Sequence, residues 1–331
     1  MNPTSTPTLP LADRHGRTLD YLRLAVTDRC NLRCTYCMPA EGLQWVRRES
    51  LLSFEEMRRL VGVLHAAGLR RVRLTGGEPF LRKDLTVLLR ALAAFDGLQI
   101  AITTNGTRTL LHLPLLKELG IRDINLSLDT LRPERFAAIA RRDNFEQVHA
   151  CLAELLEPGW NLKINAVALP NADPEEWIEL TELARTHAVA VRFLEEMPFN
   201  GGQSHLPKYL AKDILHHLQN AYPQLQSIGP SSSGTAERYS TPDMVGSVGI
   251  IPAFSRSFCG SCNRLRITPE GALRTCLYAK NELSVRDALR SGSTDAELLD
   301  LITRAIRGKA VDGFAAEAAV SSRESMATIG G

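Results

Sequence analysis

Cysteines carry the clearest chemical signal in this chain. Six of the seven fall into two tight groups, Cys30, Cys34 and Cys37, then Cys259, Cys262 and Cys276. An odd number gathered in this way is unlike a disulfide framework and points to metal or redox chemistry in a reducing compartment. The first group is spaced Cys-x-x-x-Cys-x-x-Cys. Three thiolates on one loop leave the fourth position of a zinc ion or of a cubane iron–sulfur cluster unfilled. On a cubane, that open iron is where an exogenous ligand can be activated. The second group is Cys259-x-x-Cys262 followed, after thirteen residues, by Cys276. It too offers three ligands, and the nearest upstream histidine, His217, is too remote in sequence to complete it locally. From spacing alone, a zinc site completed by a distant residue stays open for the second group, as does zinc for the first. Cys151 reads as a small apolar filler in a helix.

Basic residues form the second signal. Arg264 and Arg266 follow Cys262 and flank Leu265, so a strand would place both guanidinium groups on one face, a forked pair suited to phosphate. Arg23, Arg71, Arg73, Lys163 and Arg192 sit within other strand-like segments, where side chains alternate with period two. Leu22, Leu24 and Val26 oppose Arg23 and Thr27, and Val72 and Leu74 oppose Arg71, Arg73 and Thr75. Asn125 and Ser127 oppose Leu126 and Leu128, Lys163 and Asn165 oppose Leu162 and Ile164, and Arg192 opposes Val191 and Phe193. If the apolar faces meet helices, the polar faces converge on a shared interior, and five cations there require an anionic partner. Taken singly, each is equally an ion-paired or solvated strand residue.

Positioning these groups falls to a series of strands and helices. Period-two runs predict strands over 21–27, 71–75, 99–103, 123–128, 161–169 and 189–195. Between them lie a helix from the Ser53/Glu56 capping box to near Gly68, and helices over 84–95, 133–156 with a break near Asp143, and 174–187. Such alternation implies a parallel sheet, and six units fall short of the eight of a full barrel. The expected fold is α/β, an incomplete (β/α)6 TIM-like barrel. Residues 1–19 read as a flexible tail, 20–199 as the partial barrel and 200–331 as a C-terminal extension closing the barrel mouth, with a hairpin turn at Pro269-Glu270-Gly271. Loops at strand C-termini, Thr75-Gly76-Gly77-Glu78-Pro79, Thr103-Thr104-Asn105-Gly106 and Ser127-Leu128-Asp129, lie where such barrels build sites. Paired glycines there could offer backbone N–H groups to a carboxylate.

Composition bounds the partners. The 331 residues carry 39 basic and 37 acidic side chains, a net charge of +2, which provides no general field for nucleic acid or membrane. No apolar run approaches the ~18 residues of a membrane span, and the first ten residues lack the plan of a signal peptide, so a cytoplasmic protein is expected. No solenoid repeat or low-complexity tract is present.

The Cys30-x-x-x-Cys34-x-x-Cys37 motif, with Tyr36 before its last cysteine and Gly76-Gly77-Glu78-Pro79 after the second strand, resembles the radical S-adenosylmethionine superfamily. Cys259-Gly260-Ser261-Cys262-Asn263-Arg264-Leu265-Arg266, Cys276 and the terminal Gly330-Gly331 narrow the resemblance to the GTP 3′,8-cyclase family of molybdenum cofactor biosynthesis, over 21–331. Tyr278, where the family often has Phe, is a minor departure. The resemblance implies a lyase with two [4Fe–4S] clusters and S-adenosyl-L-methionine, usually a homodimer. A 5′-deoxyadenosyl radical would take hydrogen from C3′ of GTP, and the C3′ radical would attack C8 of the purine.

The same resemblance distributes roles. Cys30, Cys34 and Cys37 would hold the catalytic cluster, and Cys259, Cys262 and Cys276 the second, which meets the guanine. Tyr36, Gly77, Ser127 and Met197 stand at cosubstrate positions. Arg23, with a catalytic role as well, Arg71, Arg73, Thr103, Lys163, Arg192, Arg264, Leu265 and Arg266 stand at GTP positions. An electron donor and a cyclic pyranopterin monophosphate synthase taking the product are the implied partners. Gly330 and Gly331, lacking Cβ atoms, would enter the interior and present a terminal carboxylate to Arg23 or its neighbours. A peptide-modifying radical enzyme with auxiliary clusters needs neither the five interior cations nor the Arg264/Arg266 pair. A zinc-stabilised binding protein explains the cysteines but not the polar interior.

Overall fold

The computed structural model describes residues 11–197, 199, 206–230, 234–280, 283–318 and 325–330. Six strands, β1 (Tyr21–Ala25), β2 (Arg71–Thr75), β3 (Gln99–Thr104), β4 (Asp123–Ser127), β5 (Asn161–Ala168) and β6 (Ala190–Glu195), pair in chain order, all parallel. They fall where the alternation placed them, with ends shifted by one or two residues. Helices α1 (Phe54–Ala66), α2 (Leu85–Ala93), α3 (Leu113–Glu118), α4 (Pro133–Ala140), α5 (Phe145–Leu156) and α6 (Pro174–Thr186) fill the crossovers. The Ser53/Glu56 capping box is present in both directions, a device worth about 1 kcal/mol. The expected break near Asp143 separates α4 from α5, where Arg141 takes a left-handed backbone at φ 51°.

The chain continues through α7 (Ala211–Ala221), β7 (Gln226–Pro230), β8 (Glu237–Ser240), β9 (Ser247–Ile251), β10 (Arg264–Ile267), β11 (Ala272–Arg274) and β12 (Leu283–Ser284). Helices α8 (Val285–Arg290), α9 (Asp295–Arg307), α10 (Gly313–Glu317) and α11 (Met326–Ile329) complete it. Here the structure departs from a six-stranded unit with a separate extension. β10 pairs in parallel with β1, and β9 pairs in parallel with β6, so the C-terminal residues lengthen the same sheet at both edges. The order is β12-β11-β10-β1-β2-β3-β4-β5-β6-β9-β8-β7, eight central strands being parallel and the outer four antiparallel. The outermost strands, β7 and β12, are not paired with one another. The expected hairpin at 269–271 joins β10 to β11, with Gly271 at φ 81°.

Leu22, Leu24, Val72, Leu74, Ile102, Ile124, Leu126, Leu162, Ile164, Val191 and Phe193 project from one face of the sheet into the core, against Leu60 and Leu64 of α1, Leu88 and Leu92 of α2, and Trp177 of α6. Each such side chain contributes about 1.5–3 kcal/mol when fully buried. A slip of one residue in any strand would exchange its faces, so this core fixes which side chains line the other side. Cys151 is fully buried in α5, as a filler should be. Residues 11–19, expected to belong to a flexible tail, are instead packed. Leu11 and Leu19 are buried, and Ala12 and Thr18 form a bridge. Residues 1–10 lie outside the described set. No helix among the described residues is long and apolar enough to cross a membrane.

Candidate functional site

The pairing register brings the polar side chains together. Arg23 of β1 lies between Arg73 of β2 and Arg266 of β10, and Tyr21 lies between Arg71 and Arg264. Thr103, Asn125 and Lys163 form a second row, and Ser127, Asn165 and Arg192 a third. All occupy the face opposite the apolar core. Arg274 of β11, which the sequence reading did not single out, pairs with Arg266 on the same face and is buried. Leu265 lies between Arg264 and Arg266 on β10. Paired with Leu22, its side chain is buried in the apolar core, which leaves only its backbone toward the interior.

Three of the interior cations, Arg71, Lys163 and Arg73, have partners. Arg71 Nε and Nη2 donate to Gln99 Oε1 at 3.1 and 2.7 Å, and Lys163 Nζ lies 3.8 Å from Asp123 Oδ1. Arg73 donates from Nε to Tyr21 Oη at 2.5 Å and from Nη1 to the Ile102 carbonyl at 3.2 Å. By contrast, Nε of Arg23, Arg192, Arg264 and Arg266, Oγ1 of Thr103, and Oδ1 of Asn125 and Asn165 are buried without a hydrogen-bond partner. Each such group costs about 1–3 kcal/mol. Burial and mutual repulsion press Arg23 and Arg192 down to about 9, and Arg266 and Lys163 are lowered by the same causes. Burial alone would raise Tyr21, but Arg73, Arg23 and Arg264 overcome it and bring the phenol to about 8. The interior is thus a concentrated positive field with unsatisfied donors, suited to a polyanion.

At the C-terminal end of β1, the loop bearing Cys30, Cys34 and Cys37 rests on the glycine pair. A Cβ on Gly77 would lie 2.2 Å from the Arg29 carbonyl oxygen, and one on Gly76, at φ 144°, 2.2 Å from that of Thr27. Gly77 and Glu78 donate their backbone N–H groups to Thr27 and Arg29, both at 2.8 Å. Those two N–H groups therefore brace the cysteine loop. Buried Glu78 ties the loop to β3, accepting from Thr104 Oγ1 at 2.9 Å and the Asn105 backbone at 2.7 Å, and burial pushes its carboxyl up to about 7. Asn105 Nδ2 reaches Cys30 Sγ at 3.7 Å. Tyr36 donates to Asp129 Oδ2 at 2.9 Å, and Asp129 accepts in turn from the Val167 backbone at 2.8 Å. Ser127 ends β4 beside this pair, and Met197 packs against Phe199 and Ile251 beyond β6. Burial, with neighbouring negative charge, raises the free thiols of Cys30 to about 11, Cys37 to about 12 and Cys34 well above its ordinary value.

Cys259 and Cys262 precede β10, whereas the first loop follows β1. Because those strands are parallel neighbours, the two cysteine sets stand at opposite ends of the same interior, separated by a strand of about 17 Å at ~3.3 Å per residue. Burial would raise the Cys262 thiol, but Lys309, Arg264 and Arg266 bring it down to about 7. Lys309, unremarked in the sequence, is 2% exposed. Arg17, 8% exposed at its side chain, donates to the carbonyls of Cys259 at 3.0 Å, Ala310 at 2.6 Å and Val311 at 2.8 Å. Arg256, held at φ 56°, lies 3.6 Å from the Tyr278 ring centre and 4.2 Å from that of Phe314, joining the two segments that carry the second set. Their isolated positions in sequence left these three residues without a pattern to reveal them.

Within each set the cysteines interact electrostatically, yet no three described His, Cys, Asp or Glu side chains converge on a single metal ion. Three thiols in each set match the thiolate ligation of a cubane cluster with one open iron, whereas a structural zinc ion would need a fourth ligand. The cations around Cys262 suit a negatively charged cluster, and thiols this buried become ligands only by losing a proton to a metal.

Helix α11 brings residues 325–330 to the first loop. Ser325 Oγ donates to the Cys37 carbonyl at 2.5 Å, and Thr75 Oγ1 donates to that of Gly330 at 3.4 Å. At φ 76°, Gly330 sits where a Cβ would be 2.6 Å from that of Ala25. A glycine thus enters the interior beside β1 and β2; Gly331 lies outside the described residues.

Residues 24–184 match the radical SAM superfamily and residues 189–314 the family described as Molybdenum Cofactor Synthesis C. "GTP 3',8-cyclase" of Chlorobaculum tepidum is 40% identical over the full length of both chains. "Molybdenum cofactor biosynthesis protein 1" of Drosophila melanogaster is 40% identical over 91% of this chain, which spans only 54% of that longer relative. The crystal structure of Streptococcus suis SuiB bound to S-adenosylmethionine shares the fold, with a TM-score of 0.61 at 17% identity over 91% of this chain and 68% of that one.

Proposed function

This chain belongs to the GTP 3′,8-cyclase family within the radical SAM superfamily, and we propose that it converts GTP to 3′,8-cyclo-7,8-dihydroguanosine 5′-triphosphate at the start of molybdenum cofactor synthesis. One observation carries the reading: a face of buried, partly unsatisfied cations lies between two cysteine triplets at opposite ends of one parallel sheet. That arrangement can hold a triphosphate while a radical source approaches the ribose from one end and a second cluster holds the base at the other.

Cys30, Cys34 and Cys37 would hold the first [4Fe–4S] cluster, and Cys259, Cys262 and Cys276 the second. When bound, the first cluster and S-adenosyl-L-methionine would supply a 5′-deoxyadenosyl radical able to take the C3′ hydrogen of GTP; joining C3′ to C8 would then take one electron, from the electron donor, and one proton to give the dihydro product. The protein's work is placement. Arg23, Arg73, Arg192, Arg264 and Arg266 bind and orient the phosphates, with Arg71 and Lys163 released from Gln99 and Asp123 to join them. Thr103, Asn125 and Asn165 supply uncharged contacts on the same face. Tyr36, held by Asp129, and Gly77, Ser127 and Met197 position the cosubstrate. Gly330, which lies against Ala25 and Thr75, limits the space beside the reacting ribose. The domains in this reading are 20–199 and 200–331, and the working unit is a homodimer supplied by an electron donor and passing its product to a cyclic pyranopterin monophosphate synthase.

The test is anaerobic reconstitution of the full chain followed by reduction in the presence of S-adenosyl-L-methionine with GTP, guanosine or no nucleotide. Iron sufficient for two clusters and 5′-deoxyadenosine formed with GTP, together with a cyclised triphosphate, are expected. A zinc-containing, iron-free protein, or cosubstrate cleavage that never yields a cyclised nucleotide, would overturn the proposal.

A further inference from the structure

A lysine ammonium has three N–H donors, and Lys309 places its own on three acceptors. Nζ donates to the Thr275 carbonyl, to the Arg264 carbonyl at 3.3 Å, and lies 3.9 Å from Cys262 Sγ. Thr275 adjoins Cys276, and Arg264 lies two residues past Cys262, so this one side chain spans both segments of the second cysteine set. The ammonium is buried, and among the described residues no carboxylate pairs with it. Of its three acceptors, only the sulfur can carry negative charge. A buried cation without a counter-charge is costly, and the carbonyls satisfy its geometry without neutralising it.

We infer that Lys309 is the resident counter-ion of the second cluster, directing charge and an N–H···S contact onto the Cys262 thiolate and thereby raising that cluster's reduction potential. The inference rests on the two-cluster reading above. Net charge and hydrogen bonds to the sulfurs are among the factors that set an iron–sulfur potential, and a fixed cation favours the reduced, more negative state. Arg17 keeps the device in register by anchoring the next two residues, Ala310 and Val311, to the Cys259 carbonyl. Lys309 is accordingly a positioning and tuning residue that acts through Cys262, with no contact to the reacting atoms.

The experiment compares full-length wild type, Lys309→Met, Lys309→Gln and Lys309→Arg after anaerobic reconstitution, by iron content and by redox titration followed by electron paramagnetic resonance. Cys276→Ala supplies the signal of the first cluster alone. Expected are unchanged iron, a second-cluster midpoint shifted to more negative potential in the Met and Gln variants and restored toward wild type in the Arg variant, and a first-cluster midpoint that does not move. Second-cluster midpoints in the Met and Gln variants that coincide with wild type would overturn the inference. If the Met and Gln variants lose the second cluster, retention in the Arg variant supports a role for the charge, and equal loss in all three overturns it. A wild-type protein with only one cluster would instead refute the two-cluster reading on which the inference stands.

Discussion

Arg73 shows what a single side chain contributes to this interior. Its guanidinium holds Tyr21 while remaining within the field of Arg23 and Lys163. Arg73→Ala should weaken GTP by about 1.5–3 kcal/mol, the worth of a charge-assisted contact, while leaving guanosine nearly unaffected. Calorimetric titration of both ligands checks this, and equal losses would mean that the cation does not read phosphate. Combined with Lys163→Ala, the loss should be less than additive, because the remaining cations share the anion. Tyr21 gives a pH test. The cations that bring its phenol down to about 8 are those GTP would engage, so bound GTP should raise the phenol's pKa. By linkage, GTP affinity should fall as pH rises through about 8, where the ionised phenol competes for the same cations, and Tyr21→Phe should flatten that fall. An identical pH profile in the variant would remove Tyr21 from the phosphate site. Period-two alternation made Arg23, Arg73, Lys163 and Arg192 legible in sequence, because a polar residue inside an otherwise apolar strand is conspicuous. Lys309, Arg17 and Arg256 were not legible, since each acts on groups far away in the chain, the first two chiefly on backbone carbonyls and Arg256 on the Tyr278 and Phe314 rings.

Among the elements, the glycine pair after β2 is a spacer as much as a ligand site. Gly77→Ala would drive a methyl group into the Arg29 carbonyl, forcing the first cysteine loop away from β2. Iron should then fall by about half, as one cluster of two is lost, with the second cluster's spectrum retained. Full iron with normal cosubstrate binding would show that the loop tolerates the displacement. Gly330 poses the same steric test from the opposite side. Its positive φ and its approach to Ala25 make Gly330→Ala incompatible with the present path of α11 into the interior. That variant should keep both clusters and lose cyclisation, whereas wild-type turnover would remove the tail from the reaction. Helix starts were well marked in sequence, as at Ser53, because capping chemistry is local. The short α3 was missed since Pro114 and the brevity of the segment mask its period.

For the molecule as a whole, the main lesson lies in how the chain closes on itself. Local patterning identified β10 as a strand but not that it would lie beside β1, because pairing between residues 21 and 264 leaves no local trace. That long-range register sets the two cysteine triplets at opposite ends of one cationic face, and it turns separate motifs into a single site. The same closure packs residues 11–19 near the second cysteine set through Arg17, so that segment is structural where composition alone suggested a loose tail. The most direct measurement is isotope transfer from GTP deuterated at C3′, using reduced, reconstituted protein and S-adenosyl-L-methionine. If the triphosphate is held as proposed, with its ribose facing the first cysteine loop, deuterium should appear in 5′-deoxyadenosine in step with cyclised product. Unlabelled 5′-deoxyadenosine accompanied by unaltered GTP would contradict that placement.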